Sequence, residues 1–174
     1  MAAGSDKRFP ASNAPIDSPE RRRLPPLLRR AWYGLNQAFR RRIAHLDITP
    51  DQFTVMRSLL EGDERGLTQS ELTAIMSSDP NTVASLIERM EKARLVERRP
   101  HESDRRAYRL RLRPAGRRKY EQARLLAVAL QTEVLAVLPD DRREGFLEDL
   151  SRVAEVCHRV ASLSPRPGRA GRAK

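Results

Sequence analysis

Between Asp79 and Arg113 the chain reads DPNTVASLIERMEKARLVERRPHESDRRAYRLRLR, and no other stretch constrains the fold as tightly. Asp79-Pro80 joins a helix-capping residue to the residue type pre-set for a first helical turn. Val83, Leu86, Ile87 and Met90 follow at i, i+3, i+4 and i+7, one apolar stripe at helical period. Opposite it lie Asn81, Thr82, Ser85, Glu88 and Arg89, none of them large and apolar. A short β-like run, Leu95 to Arg99, leads through a polar turn from Pro100 to Arg106. In the second run Tyr108, Leu110 and Leu112 alternate with Arg109, Arg111 and Arg113, which puts the two sets on opposite faces of a strand. Helix, strand, basic loop and strand in this order outline a winged helix. The expected class is therefore mainly α with a small β-hairpin wing (α+β).

Two helices upstream carry the same start signal. In Thr49-Pro50-Asp51-Gln52 and in Thr68-Gln69-Ser70-Glu71 a threonine cap stands three residues before a Gln or Glu that can reach back to it. Ile48 with Phe53, and Leu67 with Leu72, have the spacing of hydrophobic staples. The first helix should end near Glu61, before Gly62, and the second should run from Gln69 to about Met76. Only Met76-Ser77-Ser78 separates the second from the Asp79 helix, the tight link of a helix-turn-helix. Leu67 is expected as a one-rung edge strand against the wing.

Three further helices are not needed to complete that core. Leu24 to Leu46 carries Leu28, Trp32, Leu35, Phe39 and Ile43 near helical period, with Pro25-Pro26 confined to its first turn. Pro114 opens a helix to about Leu138 with Tyr120, Ala123, Leu126, Leu130, Val134 and Val137 spaced for burial. Pro139 breaks it, and Asp140 or Asp141 caps a last helix with Phe146, Leu150, Val153, Cys157 and Val160. Surplus apolar stripes have to be buried somewhere, and a homodimer interface is the economical answer. Residues 1–22 and 164–174, rich in Pro and basic residues, are expected to be disordered arms flanking a single domain over 23–163. Its winged-helix lobe would span about 48–113, and its dimerisation helices about 24–46 and 114–162.

Charge narrows the partner. The 174 residues carry a formal net charge of +11, a field that favours a polyanion. Between Arg94 and Lys119 eleven positive residues face three negative ones, so most of the excess sits in one footprint. No apolar run is long enough to span a membrane, no secretory signal opens the chain, and a lone Cys157 excludes an internal disulfide framework. A cytoplasmic location is the expectation. His45, His101 and His158 are scattered and no Gly-rich phosphate loop appears, so no enzyme, metal or cofactor is expected.

The stretch VASLIERMEKARLVERRPHESDRRAYRLRLRPAGRR resembles the MarR family (multiple antibiotic resistance regulators) of bacterial transcription factors. Met90-Glu91-Lys92-Ala93-Arg94-Leu95-Val96-Glu97-Arg98 matches that family's L-E-x-x-G-L-V-x-R, Asp104-Arg105-Arg106 its wing D-x-R, and Leu112-Arg113-Pro114-Ala115-Gly116 its L-T-P-x-G. The resemblance implies a homodimer on a pseudo-palindromic operator, commonly a repressor. Two departures stand out: Arg94 where glycine is usual, and Arg113 in place of a threonine cap. Arg113 adds a positive charge that suits a phosphate.

The residues expected on DNA follow. Asn81, Thr82, Ser85 and Arg89 would face the major groove, where asparagine pairs with adenine and arginine with guanine. Thr82 and Ser85 equally suit phosphate. By analogy with the family's wing, Arg106 would enter the minor groove, oriented by Asp104, with Arg105 the competing candidate. Arg98, Arg99 and Arg109 are expected on the backbone. The resemblance also implies release by a small aromatic acid or phenol, in a cleft to which Trp32, Phe39, His45 and Phe53 are assigned. Plain core remains the competing reading for each, and for Trp32 a subunit interface. Cys157 is a candidate redox sensor, against the ordinary reading of an inert buried thiol. A sequence-independent architectural DNA binder is the alternative function, and an arginine-rich first helix on a membrane surface a third.

Overall fold

The computed structural model of the protein describes residues 23–104 and 107–163. Six helices and three short strands follow in order: α1 Leu24–Arg42, α2 Pro50–Glu61, β1 Leu67–Thr68, α3 Gln69–Ile75, α4 Pro80–Lys92, β2 Val96–Pro100, β3 Tyr108–Leu112, α5 Pro114–Leu135 and α6 Asp140–Leu163. The chain divides into two compact units between Val128 and Ala129. The arms expected at residues 1–22 and 164–174 lie outside the described residues.

Local chemistry sets the helix starts. Both capping boxes form: Gln52 N–H donates to Thr49 Oγ1 at 3.2 Å while Thr49 N–H donates to Gln52 Oε1 at 2.9 Å. The corresponding bonds of Thr68 and Glu71 are 3.2 and 2.6 Å. Asp79 caps α4 by accepting from the amides of Asn81 and Thr82 at 3.0 and 2.9 Å. The helix expected to run through Leu46 stops at Arg42. The backbone then turns through a 3-10 segment, Ala44–Leu46, into Asp47 at φ 52°.

The first unit is built on α2, α3, α4 and a three-stranded antiparallel sheet in the order β1-β3-β2. Its registers pair Leu67 with Leu110, Val96 with Leu112 and Pro100 with Tyr108. Val83, Leu86, Ile87 and Met90 are all buried with Val55, Met56 and Leu72, each worth about 1.5–3 kcal/mol over exposure. The first wing strand begins one residue later than expected. Leu95 N–H is spent on Met90 O and Arg94 N–H on Glu91 O, both at 2.9 Å, the paired closure of a Schellman cap. Arg94 occupies the left-handed position of that cap at φ 57°. Arg94→Gly should therefore raise stability by about 1 kcal/mol, read as a higher urea midpoint at unchanged slope.

Much apolar surface is left open. On α1 only Phe39 is buried, whereas Trp32, Tyr33 and Leu35 are exposed. On α5 Ala123 and Leu130 are buried, but Val134, expected inside, is exposed, as is Val137 beyond the helix end at Leu135. No residue of α6 is buried: Phe146, Leu150 and Val160 of its expected stripe are exposed, and so is Cys157. The buried-thiol reading of Cys157 thus fails in the single chain.

Candidate nucleic-acid interface

Helix α4 divides cleanly. Its buried stripe packs inward, and Asn81, Thr82, Ser85, Glu88 and Arg89 are exposed on the opposite side. Asp79 holds the first turn through the two amides and through the Thr82 hydroxyl, which donates to Oδ2. These bonds, the Thr82 hydroxyl foremost, hold the Asp79 carboxyl below its ordinary range. Thr82 consequently offers acceptor lone pairs and a methyl group rather than a free donor. Arg89 is exposed and makes a weak 3.3 Å bond from Nε to the Ser85 carbonyl.

The wing distributes its arginines in a way their alternation did not predict. Arg98 Nε donates to Glu91 at 2.9 Å and Arg99 Nε to Glu97 at 2.7 Å. Arg113 Nε lies 3.3 Å from Glu97 Oε2 without hydrogen-bond geometry. Arg113 is thus turned toward the wing's own carboxylate rather than standing free for a phosphate. The Arg99 guanidinium, with Arg113 behind it, lowers the Glu97 carboxyl. Arg109, expected on the DNA backbone, is only 8% exposed. Its Nη1 donates to the Gly66 carbonyl and its Nε to Glu102, both at 2.9 Å. Tyr108, expected on the same strand face as Leu110, is exposed where Leu110 is buried. The sheet has only two strands at that end.

The hairpin turn is bonded internally: His101 Nδ1 accepts the Ser103 and Asp104 amides at 3.3 Å, and Ala107 N–H donates to Asp104 O at 3.0 Å. Arg105 and Arg106, the two candidates for groove insertion, lie outside the described residues. An open groove of about 390 Å³ separates the start of α3 from the wing, lined by Thr68, Gln69, Ser70, Arg98 and Tyr108.

The four aromatic and imidazole candidates for effector contact do not gather around one cavity. Phe53 packs edge-to-face on Phe39 at 4.9 Å between ring centroids and stacks on Tyr120 at 5.3 Å. Both phenylalanines are buried and belong to the core, while His45 is exposed on the 3-10 turn. Trp32 lines a cavity of about 220 Å³ with Asp51, Met76, Thr82, Leu86 and Arg89. Asp51 and Met76 were not singled out as site residues. Asp51 reads as an ordinary first-turn acid, and nothing in the spacing shows that the α3–α4 turn meets α1.

Among the described residues no group of His, Cys, Asp or Glu could hold a metal ion, and no helix is long and apolar enough to cross a membrane.

The sequence model of the MarR family matches residues 46–107, which run from the end of the 3-10 segment to the wing. This winged-helix segment carries the sequence signature of the MarR family of winged helix-turn-helix regulators. Solved MarR-type structures resemble about three quarters of the chain. CouR on a 23-mer DNA duplex is 26% identical, with TM-score 0.67, covering 74% of this chain and 89% of its own. CouR comes from Rhodococcus jostii RHA1. The M. tuberculosis regulator MosR in complex with DNA is 29% identical, with TM-score 0.61 and coverage of 75% and 95%. The S. aureus MepR–DNA complex shares the fold at 20% identity and TM-score 0.69, over 75% and 95%. Comparison with curated proteins gives no sequence match. The matched segment and the DNA-bound relatives are those of non-enzymatic, DNA-binding transcriptional regulators.

Proposed function

We propose that this protein is a MarR-family repressor that binds a pseudo-palindromic operator as a homodimer and is released by a small aromatic acid. The exposed polar face of α4, held by the Asp79 cap and followed directly by a basic hairpin, carries the DNA reading. Asn81 and Arg89 would read base edges, and Thr82 and Ser85 would contact bases or phosphate. Arg106, set by the D-x-R spacing from Asp104, would enter the minor groove. Arg98 and Arg99 would take phosphates. Their present carboxylate partners form exposed pairs of little net strength, which a phosphate can replace at small cost. Dimerisation is supported by the unburied apolar residues of α1, α5 and α6, and two-fold symmetry would impose the palindrome.

The cavity beneath α4 supports the effector reading. Trp32 offers a ring face and Arg89 a cation, a suitable pair for an aromatic carboxylate. Because Arg89 also belongs to the reading face, an acid held there would draw it away from a base.

The test is a titration into DNA upstream of the protein's own reading frame and into a scrambled duplex, at about 150 mM salt with competitor. A preference of ~10³ or more is expected for one palindromic site. Arg106→Ala should weaken every site, whereas Asn81→Ala should change the preferred base. Equal binding to cognate and scrambled duplexes across a genome-wide selection would instead establish the architectural alternative, to which the net charge of +11 also points.

A further inference from the structure

We propose that Arg109 and Glu102 are positioning residues that lock the wing to the loop ahead of β1, and that DNA affinity depends on this lock. The inference rests on the wing's role in DNA docking stated above. Strand alternation sends Arg109 outward with Arg111 and Arg113, yet its side chain is only 10% exposed. One guanidinium ties three segments: β3, which carries it; the hairpin turn, through Glu102 Oε2; and the α2–α3 loop, through Gly66 O. Arg111 doubles the attachment, with Nη2 donating to Glu64 O at 2.8 Å. The turn that Glu102 opens is itself bonded through His101 Nδ1 to the Ser103 and Asp104 amides. An anchor at Glu102 therefore holds the backbone up to Asp104, next to the basic tip. A two-stranded ribbon has no second layer to fix its angle, and beyond Thr68 the wing is such a ribbon. The bridge supplies the missing constraint. Arg109 also keeps the Glu102 carboxyl below its ordinary range, so the acid stays charged at neutral pH.

The two effects of Glu102 oppose each other, which makes the proposal decidable by sign. As a bare carboxylate beside the wing tip it repels DNA, and its removal would tighten binding. As an anchor it favours binding, and its removal weakens it. The experiment uses the full chain as wild type, E102Q, R109K and R109Q, titrated against one duplex at several salt concentrations, with amide exchange measured on the free proteins. E102Q is expected to weaken binding about fivefold despite losing a negative charge, the scale of a charge-assisted bond made neutral. Its salt slope should match the wild type. R109K keeps the charge but lacks the fork that reaches both partners, and should weaken binding similarly. In both variants amides of residues 63–68 and 101–104 should exchange faster. Unchanged or tighter binding by E102Q overturns the proposal. So does a salt slope for R109Q shallower by about 0.9, which marks a lost phosphate contact. If the wild type binds no duplex, the DNA reading has failed, and the exchange rates still decide the lock: unchanged protection in E102Q and R109K overturns it.

Discussion

Gly66→Ala should lose about 3 kcal/mol of stability, among the largest effects of any single methyl group in this chain. Two independent causes add at that position. Gly66 sits at φ 96°, a backbone region that L side chains rarely enter. A Cβ there would also drive into the Leu110 carbonyl and approach Arg111 Cγ to 2.9 Å. The carbonyl cannot give way. Leu110 is the central rung of the sheet, paired with Leu67 on one side and Arg98 on the other. The damage should also reach the wing, because the Gly66 carbonyl is the acceptor for buried Arg109. Urea denaturation at fixed protomer concentration measures the loss. Gly34→Ala and Gly145→Ala are the controls: both glycines are helical with nothing within 4 Å of an added Cβ, so each should stabilise by about 0.5–1 kcal/mol. A Gly66→Ala midpoint within the spread of those controls would show that the loop accommodates the methyl group.

Features decided by neighbours in sequence were legible. The two capping boxes, the Asp79 cap and the α4 stripe each depend on residues within about one or two helical turns, and all form as the residue pattern dictates. Even the departure at Arg94 could be placed, since its left-handed geometry follows from the cap that ends α4. Arg109 was not legible. Period-two alternation assigns a side to each residue but cannot show that a loop 43 residues away covers that side with a carbonyl. Helical periodicity likewise identified the stripes of α1 and α6 without saying whether the same chain would bury them. Trp32, Leu35 and Phe146 lie on such stripes and are exposed. Periodicity reports that a face needs a partner, and only the three-dimensional arrangement shows which faces found one.

The cavity under α4 illustrates the same limit for a site. Its walls come from α1, the first turn of α2, the α3–α4 turn and α4, four segments with no fixed spacing in common. Of the four residues first assigned to an effector, Trp32 alone reaches it. Arg89, assigned only to DNA, reaches it too. Under the function proposed above, a residue shared by an effector cavity and a reading face would couple the two without a long-range pathway, because one side chain cannot serve both at once.

Phe53→Ala should cost about 3–5 kcal/mol, which separates the aromatic residues that build the fold from the one that lines the cavity. Phe53 is the middle ring of three, edge-on to Phe39 and stacked on Tyr120. It also lies one helical turn after the Thr49 cap, and its N–H donates to Thr49 O at 3.0 Å. Truncation removes two ring contacts, worth about 0.5–1.5 kcal/mol each beyond area, and leaves a cavity bounded by side chains from three helices. Phe53→Leu, which refills most of that volume, should cost less than half as much. Trp32→Ala should behave oppositely. With 65% of its surface exposed, the indole contributes little to the folding of one chain, and its loss should stay within about 0.5 kcal/mol. Its effect belongs to ligand response: aromatic acids that release wild-type protein from DNA should no longer release Trp32→Ala. Thermal melts of both variants, beside a release assay on Trp32→Ala, would resolve the two roles. A Trp32→Ala protein that melts as early as Phe53→Ala would return the indole to the core.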